Sequence, residues 1–136
     1  MSLRIREIAD GLGSRLRVTA EDRHAGSLVI LERGDLGNGT RALLDRYGAE
    51  VLRAFLMAAR LSVTGGLPDE IVGGPFATQF RLVVDPVVNL ALTQDGGLVA
   101  LDIPASLWDR LYAELCLISA HTSEGLRTPN RPIRYN

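Results

Sequence analysis

The sequence predicts an α+β protein built on an antiparallel five-stranded sheet, a β-hairpin plus a three-stranded meander, with flanking helices in the order α-β-β-α-β-β-β-α. Three observations carry this reading. Segments such as Arg15–Ala20 and Phe76–Val84 alternate polar and apolar residues, the period of a half-buried strand. From Arg41 to about Leu61 apolar residues instead recur every three or four positions, the period of a helix. Glycine-bearing turns at 21–26 and 95–97 separate strand-like runs, as hairpins require.

Taken in order, Leu3 to Leu12 sets Ile5, Ile8 and Leu12 at helical spacing, and Gly11 and Gly13 then supply a helix end, so a short amphipathic helix comes first. In Arg15–Ala20, Leu16 and Val18 point one way and Arg15, Arg17 and Thr19 the other. The polar stretch Glu21–Gly26 turns the chain into the apolar run Leu28–Leu31, which completes the hairpin. Glycines 34, 37 and 39 break regular structure, and Thr40 is read as the N-cap of the long helix. Leu44, Tyr47, Val51, Phe55 and Ala58 form its stripe, widened by Leu52, Leu56 and Ala59. A stripe this wide calls for burial on more than one side.

Gly65, Gly66 and Pro68 end that helix. Phe76–Val84, Val87–Thr93 and Leu98–Ile103 make the meander, with Pro86 at a bend or edge and Asp95-Gly96-Gly97 as a hairpin turn. Pro104 opens a last helix that runs to about His121, its buried stripe being Leu107, Trp108, Leu111, Leu115 and Ile118. Residues 1–125 are expected to form a single α+β domain without internal repeats. Residues 126–136, with Arg127, Pro129, Arg131, Pro132 and Arg134, are expected to be an extended arm, docked through Ile133 and Tyr135. The element order resembles that of profilin-like and roadblock-like domains and, loosely, of small dimeric secretion chaperones, a likeness of layout without a shared motif.

The formal net charge is −1, so the basic surplus by which nucleic-acid binders neutralise phosphates is missing and no nucleic-acid partner is expected. All fifteen basic residues are arginine. Together with abundant Ala, Gly and Leu this fits a GC-rich coding sequence, and it excludes lysine Schiff bases, P-loop lysines and lysine general bases from this chain. Cys116 is the single cysteine, which rules out an intramolecular disulfide and any zinc motif of paired cysteines. No signal-like stretch and no run of roughly 20 apolar residues occurs, so a cytoplasmic location without membrane contact is expected. His24 and His121 are the only histidines, and Cys116 and His121 lie too far round a helix from each other for a Cys–His catalytic pair. No catalytic residue, metal or cofactor is assigned.

The strongest local candidate is the glycine-rich loop between the apolar run at Leu28 and the long helix. Amides at a helix N-terminus, with glycines permitting close approach, bind anions. The candidate binding residues are Arg33, Gly37, Asn38, Gly39, Thr40 and Arg41. The segment Arg33–Thr40 resembles the pyrophosphate-binding loop of the GCN5-related acetyltransferases, with one extra residue between Arg33 and Gly37. That resemblance implies a phosphate-bearing small molecule as ligand. A dinucleotide fingerprint is not formed, because Ala42 stands where its third glycine would be. The missing catalytic signature and the broad apolar stripes favour another class: a non-enzymatic protein-interaction or regulatory module acting as a homodimer, whose second subunit would cover the wide stripe of the long helix, although a monomer that covers it with its own sheet and terminal helices accounts for the stripe equally well.

Overall fold

The structure, a computed structural model, describes residues 3–23, 26–35, 40–62 and 66–127, with 121–127 described by backbone alone. Its elements are β1 (Leu3–Ala9), β2 (Arg15–Arg23), β3 (Gly26–Arg33), β4 (Arg41–Asp45), α1 (Arg46–Leu61), β5 (Glu70–Val72), β6 (Thr78–Val83), β7 (Asn89–Gln94), β8 (Val99–Pro104) and α2 (Trp108–Arg127). Strands β1–β4 form one antiparallel sheet in sequence order, and β5–β8 form a second. The α+β class holds. The single five-stranded sheet does not: two separate four-stranded sheets replace it, and the order is ββββα followed by ββββα. The chain therefore repeats one topology twice although its sequence shows no repeat. The layout behind the likeness to profilin-like and roadblock-like domains and secretion chaperones is not the one adopted.

Each difference has a local cause. Leu3–Ala9 is a strand, not a helix. It lies at the edge of its sheet, so Leu3 and Ile5 are more than half exposed and the alternation that marks a half-buried strand is absent. Gly11 and Gly13 do not end a helix but turn a hairpin, in which the Asp10 carboxylate accepts from the amides of Leu12 (2.8 Å) and Ser14 (2.9 Å). At Arg41–Asp45 the strand β4 is made of helix-favouring Ala and Leu and runs straight into α1, which disguises it as the helix start. The true N-cap is Asp45, whose side chain accepts from the Gly48 amide at 2.7 Å. Strand β5 has three residues, too few for a periodic signal.

The rest follows the expected pattern. The β2–β3 hairpin pairs Val18 with Leu31 and Ala20 with Val29, and the meander β6–β7–β8 pairs Phe80 with Leu92 and Leu92 with Leu101. Pro86 follows a cis peptide in the β6–β7 turn. The turn at 95–97 places three consecutive residues at positive φ, which glycine accepts without strain at two of them. Helix α2 continues to Arg127, so the first two residues of the expected extended arm are helical. The remainder of the arm, residues 128–136, lies outside the described residues.

One apolar core joins both halves. Leu16, Val18, Leu31 and Leu44 from the first sheet are buried together with Phe80, Leu90, Leu92 and Ile103 from the second, and with Leu52, Phe55, Leu56, Leu107, Leu111 and Leu115 from the helices. Phe55 of α1 and Phe80 of β6 meet with ring centroids 6.0 Å apart at a tilt of 33°, a favourable offset arrangement. The helices lie side by side. Ser119 donates to Glu50 (2.6 Å), Arg53 approaches the Cys116 sulfur (3.8 Å) and Arg60 pairs with Asp109 (2.9 Å). Partner numbers fall on α2 as they rise on α1, so the two helices are antiparallel.

Candidate functional site

The glycine-rich loop is the first place to look, and the structure changes its surroundings. The chain leaves it into β4, so no helix N-terminus faces the loop. Gly37, Asn38 and Gly39 lie outside the described residues. Thr40 precedes β4 and is half-buried. Arg33 is engaged: its side chain is 9% exposed and forms a two-pronged pair with Asp35, Nε to Oδ1 at 2.8 Å and Nη2 to Oδ2 at 2.6 Å. Nη1 donates to the Asp102 carbonyl at 2.6 Å, crossing to β8 in the other sheet. These hydrogen bonds hold the Asp35 carboxyl well below the usual carboxylate range and raise the Arg33 guanidinium. An arginine read as a ligand for an external anion thus already has an internal one.

Arg41 is exposed at the start of β4 and lines a cleft of about 340 Å³ with Leu43, Phe76, Gln94, Asp95 and Val99. The cleft opens where the sheets meet. There the Gln94 amide substitutes for a strand: its oxygen accepts from the Leu43 amide (3.1 Å), and its nitrogen donates to the Leu43 carbonyl (2.6 Å) and to the Thr78 hydroxyl (2.8 Å). With both ends of its amide occupied, Gln94 serves the seam between sheets. Sequence reading passed over it, since a lone Gln near a turn carries no pattern.

Two further carboxylates, one buried and one half-buried, also join elements. Glu114 of α2, 7% exposed, accepts from Arg4 Nε of β1 at 2.6 Å. Glu50 is held below the usual carboxylate range by the Ser119 hydroxyl and by Arg53. Among the described residues, no group of three or more His, Cys, Asp or Glu side chains is placed to hold a metal ion. His24 and the side chain of His121 are outside those residues. Among them too, no helix is long and apolar enough to cross a membrane.

No protein-family model matches the chain, and no curated protein does.

Exposed apolar side chains include Leu12, Ile71 and Leu98 on turns and strands, and several on α1. The inner face of α1, Leu52, Phe55, Leu56 and Ala59, is buried on the sheets. A second apolar stripe faces solvent: Tyr47 is 67% exposed and Leu61 80%, with Ala54 exposed and Val51 and Ala58 half-buried between them. Met57, 37% exposed, borders it. The wide stripe read from the sequence is real, and the fold of one chain covers only part of it. Tyr47 and Leu61 are not part of the core.

Proposed function

We propose that the protein is a non-enzymatic protein-interaction module that acts as a homodimer, with the exposed apolar face of α1 as its contact surface. The observation that carries this reading is the apolar stripe of α1, exposed at Tyr47, Ala54 and Leu61 and half-buried at Val51 and Ala58, which lies about a third of a turn round from the buried face of the same helix. Exposed apolar area of this kind is removed from water by association, at about 25 cal/mol per Å². Sedimentation equilibrium tests it. Twice the 14.7 kDa chain mass is expected, falling toward the single-chain mass on dilution, and a monomer at every concentration would overturn the dimer.

A second reading, binding or transfer of a phosphate-bearing small molecule at Gly34–Thr40, is supported by the exposed Arg41, which follows that segment and lines a cleft with Leu43, Phe76 and Gln94. Titration calorimetry with inorganic pyrophosphate tests it. Saturable binding that Arg41→Ala abolishes supports this reading, and no heat at millimolar pyrophosphate overturns it.

A further inference from the structure

We infer that the cleft where the two sheets meet binds a small zwitterion with an apolar body: a free α-amino acid with an apolar side chain. Such a site requires neither a second copy of the chain nor a phosphate-bearing ligand. The cleft has a volume of about 340 Å³, and Leu43, Phe76 and Val99 are among its walls, so it offers a small, partly apolar concavity. Two opposite charges, Arg41 and Asp95, line it as well. Neither side chain has an ion-pair or hydrogen-bond partner among the described residues. For Arg41 this is not for want of a carboxylate. Glu32 stands opposite it in the β3–β4 ladder, but Glu32 pairs with Arg17 at 3.8 Å. A cation and an anion that share one cleft without bonding to each other suit a ligand that carries both charges.

The backbone at Asp95 points the same way. Among the described residues it is the one non-glycine at positive φ, 57°. Glycine would sit there without strain, and an Asp in this region is commonly repaid by a side-chain bond to nearby backbone. Asp95 makes no such bond; only its carbonyl is used, accepting from the Leu98 amide at 3.2 Å. The turn thus keeps, on the cleft, a carboxylate that forms no bond within the turn. Gln94 between the two charges is held at both ends of its amide by Leu43 and Thr78. Leu43 turns its amide and carbonyl away from β3 to reach Gln94, and by the strand period Arg41 turns its own toward the same edge. The Arg41 amide and guanidinium then hold the ligand carboxylate, Asp95 takes the ammonium, and the side chain lies against Leu43, Phe76 and Val99. A phosphate in the same place would meet Asp95 as a like charge.

Calorimetry on the full chain with L-leucine and L-phenylalanine tests the site. Saturable binding is expected. N-acetyl-L-leucine, which lacks the ammonium, and L-leucinamide, which lacks the carboxylate, should each bind about tenfold more weakly than L-leucine. Arg41→Gln should cost L-leucine about the same factor and leave L-leucinamide unaffected. Asp95→Gly should do likewise and leave N-acetyl-L-leucine unaffected. Because glycine accepts positive φ, the thermal midpoint of Asp95→Gly should stay close to wild type, so lost binding then reports the carboxylate and not the fold. No saturable heat from either amino acid at about 10 mM would overturn the site, as would L-leucine binding that Asp95→Gly leaves intact. Pyrophosphate binding that Arg41→Gln abolishes and Asp95→Gly strengthens, without amino-acid binding, would overturn it in favour of the phosphate reading.

Discussion

Replacing Asp35 with alanine would leave the Arg33 guanidinium, nine-tenths buried, with the Asp102 carbonyl as its hydrogen-bond partner among the described residues. Removing one member of a buried pair typically costs about 3–5 kcal/mol; the partial exposure of Asp35 lowers the expectation to about 2–3 kcal/mol, read from urea unfolding at pH 7. The pH dependence has a definite sign. Asp35 ionises in the folded protein below its unfolded value, so its contribution is complete above about pH 4 and is lost as pH falls toward the folded-state value. The gap in unfolding midpoint between wild type and Asp35→Ala should accordingly narrow on acidification below about pH 4; a constant gap would disprove the linkage. At the seam, Gln94→Ala leaves the Leu43 amide and carbonyl without their partner and should cost about 1–3 kcal/mol. At this scale the sequence was half legible. Arg33 stands out as a cation beside a glycine loop, but the anion it binds is two residues away, and an Arg-Gly-Asp spacing carries that alternative without selecting it.

Among the elements, those buried on one face were readable and those at margins were not. Strand β2 alternates because one side meets the core and the other meets water. Strand β1 is exposed on both sides at Leu3, Ile5 and Arg6, so no period survives for a reader to find. Strand β4 shares its composition with the helix it abuts. Only the cap divides them, and an Asp three residues before a Gly is a weak signal. The cap is testable: Asp45→Ala should destabilise the protein by about 1 kcal/mol, seen as a shift in urea midpoint with unchanged slope. The contact between α1 and the second sheet weighs more. Phe80 is fully buried against Phe55, and Phe80→Ala should cost about 3–5 kcal/mol.

For the molecule as a whole, the shared core and the side-chain seam make the two ββββα halves interdependent. Urea unfolding should be one transition, with Trp108 fluorescence and far-UV circular dichroism coincident. Trp108 is 3% exposed and donates to the Ile103 carbonyl at 2.9 Å, so its emission reports the second half while ellipticity reports both. Two separated transitions would show that the halves are autonomous. The doubled topology could not be read beforehand, because backbone pairing repeats while the side chains that satisfy it do not: Ile5, Thr19 and Ile30 line the outer row of one sheet where Ile71, Gln79 and Thr93 line that of the other.

Every strand in either sheet pairs only with its neighbours along the chain. Each new strand therefore finds its template in the strand just made, across a short loop whose closure costs little entropy. Strand pairing thus runs along the chain, while the core closes only when both sheets are present. Helix α2, which follows both sheets and touches β1 through Glu114 and Arg4, then acts as the latch that closes the fold from its last helix back to its first strand.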